Sequence, residues 1–196
     1  MILIVCMKQP FTLVILTSTL LCACAETPEH TPSSSEYAAN CRYAERKKSF
    51  NVAEQACSMA LSTNDWGDNS KVRSQHLYNL GRIKLRLTKF SEAELLLKES
   101  LQIEEVLASP PKTIGYRLVD LSESMASQNK WLEGTPFLER VIPIAPQYSK
   151  QERDRIGQLL FQYSQHLKLN NQSALAKKFK TTSALIIDND TYTFRN

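Results

Sequence analysis

The chain has 196 residues, a formal net charge of +4 and a pI of about 8.8, with 42% hydrophobic and 22% charged residues. That length fits one domain, and a content of only 5 glycines and 8 prolines favours helices over turn-rich sheet. The charge is too mild and too dispersed for the dense Lys/Arg stripe of a nucleic-acid binder, so nucleic acid is excluded as a partner. The N-terminal segment stands apart from the rest. Lys8 precedes an apolar run from Phe11 to Cys22, the n-region and h-region of a secretory signal. The run is too short for a membrane-spanning helix, which needs about twenty residues. Met7 is a more natural signal start than Met1, which leaves Cys6 without a role.

The signal ends in Leu21-Cys22-Ala23-Cys24, which resembles a bacterial lipoprotein lipobox. The resemblance implies a signal peptide over 1–23 and a mature protein that begins at Cys24 with diacylglycerol on its sulfur. Each buried CH2 of an acyl chain such as palmitate contributes about 0.8 kcal/mol, so two or three chains make a lasting anchor. In a host with an outer membrane, Ala25 rather than aspartate after the cysteine implies sorting to that membrane, on its periplasmic side. The competing reading is ordinary cleavage after Ala25, which releases a soluble product. Residues 24–36 then form a tether: Glu26 to Glu36 are rich in proline, serine and threonine and have no apolar period. His30 falls within it as a solvated residue.

From Tyr37 the apolar spacing predicts helical hairpins up to residue 186. The clearest is Leu77-x2-Leu80-Gly81 followed by Phe90-x2-Ala93-x3-Leu97. A copy precedes it (Tyr37, Cys41, then Phe50, Ala53, Cys57) and another follows (Leu118, Leu121, Ser122, then Trp131, Gly134, Leu138). Gly81 and Ser122 lie 41 residues apart, as do Leu97 and Leu138. This pattern resembles the tetratricopeptide repeat (TPR), whose shorter units recur every 34 residues; the longer period is similar to the kinesin-light-chain type. The resemblance implies an all-α fold, an α-solenoid of helix-turn-helix hairpins with about eight helices. Gly81 is expected to face Ala93 so that two backbones approach closely. Lys84 in an aromatic slot and Cys41 in a glycine slot predict local variation. The Trp66 loop is expected to pack back on a helix, and Pro111 to begin one. The fourth unit, with Leu159, Leu160, Tyr163, Leu167, Leu175 and Phe179, is uncertain by one residue in register and reads as a cap. Lys177, Lys178 and Lys180 read as its solubilising charges. Residues 187–196 read as a loose tail.

No catalytic constellation, phosphate loop, metal-ligand spacing or cofactor motif appears, and no enzyme is expected. Glu104 and Glu105 read as a solvated helix face. Cys41 and Cys57 leave two readings open: a disulfide, favoured by export, or two buried free thiols, with reactive-thiol chemistry a third. The repeat resemblance further implies a concave groove lined by first-helix residues: Arg42 and Arg46, then Tyr78, Arg82 and Arg86, with Asn79 where relatives hold a ligand peptide's backbone. Guanidinium groups bind carboxylates bidentately, so the groove suits an acidic peptide segment. Ala38 and Asp120 stand where a two-carboxylate clamp wants basic residues. The function expected is a scaffold or adaptor in a cell-envelope assembly, anchored by lipid and binding a protein partner. Two alternatives stand beside it: a soluble periplasmic chaperone or carrier, and an envelope redox protein using Cys41 and Cys57.

Overall fold

The structure, a computed structural model, describes residues 31–188. The signal, Cys24, most of the tether and the tail after 188 lie outside the described residues. Eight α-helices fill the described chain: α1 (Ser34–Arg46), α2 (Phe50–Thr63), α3 (Ser70–Arg86), α4 (Phe90–Val106), α5 (Pro111–Ala126), α6 (Trp131–Val141), α7 (Lys150–Leu169) and α8 (Ser173–Asp188). A short 3-10 segment, Ile142–Gln147, links α6 to α7. Consecutive helices pair as hairpins, α1 with α2 through to α7 with α8, and each hairpin packs on the next. This is an all-helical solenoid of four stacked hairpins. No described helix is long and apolar enough to cross a membrane.

Local chemistry fixes the helix ends. Ser33 accepts a bond from the Glu36 N–H at 3.3 Å and donates its own N–H to Glu36 Oε2 at 2.7 Å. This capping box satisfies two orphan donors and starts α1 at Ser34, three residues inside the stretch assigned to the tether. Ser149 and Glu152 open α7 in the same way. Pro111 begins α5, where its missing N–H costs nothing. Within each hairpin the turn carries one left-handed residue: Lys48, Thr88, Asn129 and Asn171, with φ between 58° and 61°. The next N–H then reaches back five residues, as from Ser49 to the Ala44 carbonyl at 2.9 Å and from Lys89 to Lys84 at 2.9 Å. The same closing bond recurs at every hairpin, and it lets the chain reverse after the first helix.

These turn residues are spaced by 40, 41 and then 42 residues. Cys41, Gly81, Ser122 and Ser164 follow the same intervals. The repeat therefore lengthens by one residue each time, which is why a fixed offset of 41 left the fourth hairpin ambiguous. That hairpin is regular, with the longest of the described helices, and Phe179 and Tyr163 are fully buried in it.

Close contacts form where the spacing placed small residues, with one shift. A Cβ on Gly81 would meet Leu97 Cγ at 2.9 Å and Leu96 Cβ at 3.4 Å, so its nearest partners are these leucines rather than Ala93. Gly134 makes room for the Tyr163 hydroxyl, which donates to the Ser122 carbonyl at 2.7 Å and ties the fourth hairpin to the third. The core divides in two. Leu97, Leu118, Leu121, Leu138, Leu160, Tyr163 and Phe179 belong to one large cluster spanning the later hairpins. The first hairpin buries only Ala38, Cys41, Ala44, Ala53, Cys57 and Ala60 as apolar side chains of its own. A buried leucine contributes about 1.5–3 kcal/mol and a methyl group under 1. The first hairpin is thus poor in hydrophobic stabilisation. A Cys41–Cys57 disulfide, with Cα atoms 5.1 Å apart, crosslinks α1 to α2 at the glycine slot.

Candidate functional site

The first helices of the hairpins, α1, α3, α5 and α7, carry a line of charge that crosses all four repeats. Glu45 of α1 pairs with Arg82 of α3. Arg82 Nε also lies 4.0 Å from Asp120 Oδ2 of α5. Asp120 accepts from Arg155 of α7 at 2.6 Å, and Arg155 also pairs with Glu123. Signs alternate from repeat to repeat, so each pair bridges two hairpins and fixes their register. Burial alone would lower the Arg155 pKa, but the two carboxylates outweigh it and the net shift is upward.

Tyr78 sits beneath this line. Its ring lies 5.5 Å from the Arg82 guanidinium and 4.3 Å from that of Arg117. Burial, with the charge and hydrogen bond of Asp120, pushes its phenol well above the usual range. Behind it lies a buried polar network. Glu104 and Arg117 are 2% and 3% exposed and pair at 2.8 Å. Glu104 also accepts from Ser74 at 2.7 Å and from Ser109, while Arg117 donates to the Thr113 carbonyl at 3.1 Å. Glu104 is therefore not part of a solvated face, whereas Glu105 is exposed and pairs with Arg140. Adjacent helix residues point about 100° apart, which allows one acid in and one out. Lys84 takes the aromatic slot by bonding Glu54 at 2.8 Å and Glu92 at 2.6 Å, which joins α2, α3 and α4. Trp66 packs back on α3, its ring 4.9 Å from that of buried His76.

The six groove residues expected from the sequence fall into two groups. Tyr78 is buried and Arg82 is held in the charge line, so both serve the protein's own packing. Asn79 is only 7% exposed; its Oδ1 accepts from Gln75 at 2.8 Å, and its Nδ2 has no partner. Arg42, Arg46 and Arg86 are exposed, and none has an ion pair among the described residues. Arg42 and Arg46, like Arg82 and Arg86, are one turn apart and share a helix face. The Glu45–Arg82 pair brings the two faces together.

The far end of this face carries residues that the sequence reading passed over. Phe161 of α7 is 46% exposed although Leu159 and Leu160 beside it are buried. It lines two clefts. The first lies between α5, α6 and α7, with a wall formed by Trp131 and His166, whose rings stack 3.7 Å apart at 5°. The second lies between α7 and α8, with Ala184 and Ile187 on its far side. Gln158, Gln162 and Gln165 flank Phe161, are exposed, and have no hydrogen-bond partner among the described residues. Their equivalence to the α1 and α3 positions was hidden by the one-residue register drift. Counting 42 rather than 41 residues from the third repeat would have found them.

Among solved structures, the chain is similar to a kinesin-light-chain protein of Podosopora anserina with nearly identical TPR-like repeats. It is 14% identical, with a TM-score of 0.58, over 78% of this chain and 74% of that one. A variant of the same protein gives a TM-score of 0.59 at the same identity and coverage. No protein-family model matches the chain, and no curated protein matches its sequence. The fold is thus that of TPR-like repeat proteins.

Proposed function

We propose that this chain is a protein-interaction scaffold of the bacterial cell envelope, held at the membrane by lipid on Cys24. It binds an acidic segment of a partner protein along the first-helix face. The observation that carries the reading is the set of three exposed, unpaired arginines, Arg42, Arg46 and Arg86. They share α1 and α3 with Asn79, whose buried Nδ2 has no partner. Carboxylates are the natural counterpart of unpaired guanidiniums. The TPR-like fold supports a binding role, since stacked hairpins create an extended concave surface. Arg82 and Tyr78 act here by holding the hairpins in register, not by touching the partner.

A crosslinking pull-down from whole cells tests this, with Arg46→Glu/Arg86→Glu beside the unaltered protein. Loss of one defined envelope partner from the variant is expected. A partner kept by the variant moves the site to another face. Cys24→Ser tests the anchor: it shifts an anchored protein from the membrane fraction to the soluble one, and the mature mass should carry the lipid. A mature mass that instead begins after Ala25 establishes the soluble carrier. The redox alternative is weakened by burial, because Cys41 and Cys57 are each only 1% exposed and thiol exchange needs an accessible sulfur.

A further inference from the structure

We infer that Phe161 marks a second subsite on this face, which takes an aromatic or aliphatic anchor from the same peptide that lays its acidic stretch on Arg42, Arg46 and Arg86. The inference rests on the proposed peptide-binding function and specifies the ligand. Three observations carry it. The first is the exposure of Phe161 between two clefts, which leaves a large apolar side chain with unfilled space on both sides. Soluble proteins leave single apolar residues exposed without consequence. This one lies on the face where the first helices meet, and the stacked Trp131–His166 pair walls the cleft beside it.

The second is charge. The N-terminal part of the face carries unpaired cations and the middle is neutralised by the Glu45–Arg82–Asp120–Arg155 line. Around Phe161 the exposed α7 residues 158, 161, 162 and 165 are uncharged; Glu123, paired with Arg155, lines the first cleft and Lys180 the second. A ligand complementary to this face is acidic at the end that meets Arg42, Arg46 and Arg86 and carries an apolar group where it meets Phe161. The third is the row of unpartnered amides, Gln158, Gln162 and Gln165. Each offers a donor and an acceptor to an extended backbone lying across α7.

Geometry sets the spacing. Successive first helices touch one another, and packed helices lie roughly 10 Å apart. From α3 to α7 is two such steps and from α1 to α7 is three, or roughly 20–30 Å. An extended chain covers about 3.3–3.6 Å per residue, so the acidic stretch and the anchor stand about six to nine residues apart.

Synthetic fluorescent peptides test this against the full mature chain. Each carries a short glutamate block joined to Phe-Leu by Gly/Ser spacers of about two, seven or fourteen residues. The glutamate block alone is the control. The middle spacer should bind at least about tenfold tighter than the block alone. Phe161→Ala should abolish that gain and leave the affinity of the block unchanged, which also shows that the variant is folded. Phe161→Leu should keep most of the gain. A gain that survives Phe161→Ala, or that ignores spacer length, overturns the inference. Binding of the block without any gain also overturns it while leaving the proposed function standing. Failure of every peptide to bind removes both. A wild-type dimer in sedimentation that Phe161→Ala dissolves would give the surface to a second copy and overturn the peptide reading.

Discussion

Replacing Glu104 by glutamine removes one charge from a buried pair and strands the other. Arg117 is 3% exposed and Glu104 2%. Besides their 2.8 Å bond, Arg117 keeps contacts to Thr113, Ser100 and the face of Tyr78, while Glu104 holds Ser74 and Ser109. Because the partners come from α3, α4 and α5, the network ties the second hairpin to the third. Breaking one half of a buried, hydrogen-bonded pair costs about 3–5 kcal/mol, most of it from the charge left uncompensated. Glu104→Gln should therefore lower the unfolding free energy by about 3 kcal/mol or more, and Arg117→Met by a similar amount. Replacing both with apolar residues of similar volume should cost much less than the sum, since nothing charged remains buried. Urea unfolding followed by circular dichroism, run as a double-mutant cycle, measures this. A coupling energy of at least about 2 kcal/mol is expected. Single variants that each cost under about 1 kcal/mol, or costs that simply add, would refute the assignment of the network as the joint between hairpins.

Three further outcomes follow from the same structure. Replacing Cys41 and Cys57 by alanine should cost about 3 kcal/mol for a loop of this length, concentrated in residues 34–63; hydrogen exchange should show the first hairpin opening while α5 to α8 stay protected. Thr88→Gly should stabilise the protein by roughly 1 kcal/mol in urea unfolding, because a β-branched residue is strained at its φ of 58°. His76 is buried and its pKa is lowered, chiefly by burial, so the unfolded chain binds the proton first and stability should fall as pH drops below about 6.5. His76→Phe should remove that loss between pH 6.5 and 5. In both proteins a second loss should appear below about 4.5, as Glu94, held at about 2 by Lys130, Lys98 and Gln128 against its burial, becomes protonated.

The hairpins were legible because their spacing reports packing directly: small residues at close approaches and large ones in the core, as at Gly81, Ala93 and Leu97. The start of α1 was not, because Ser33 and Glu36 lie in a stretch whose composition reads as tether and whose order comes from a capping box and a bond from the Ser34 N–H to Asp65. The fourth repeat was blurred by a period that grows by one residue per repeat. The charge line was out of reach for a different reason. Glu45, Arg82, Asp120 and Arg155 are each ordinary surface charges on their own helix, and only the stacking of hairpins sets them side by side. The same stacking splits the expected groove residues into those held by the protein, Tyr78 and Arg82, and those left exposed, Arg42, Arg46 and Arg86. Glu104 shows the converse, since nothing in two adjacent glutamates says which one faces the next hairpin.

The proposed partner lies along the first-helix face, and site-specific photocrosslinking in living cells reads that contact. Crosslinking residues would replace Arg46, Arg86 or Phe161 on that face, and Leu95, which is 69% exposed on the second helix of its hairpin, as the control. One and the same protein adduct is expected from positions 46, 86 and 161 and none from 95. An adduct formed only from position 95, or different adducts from 46 and 161, would contradict it.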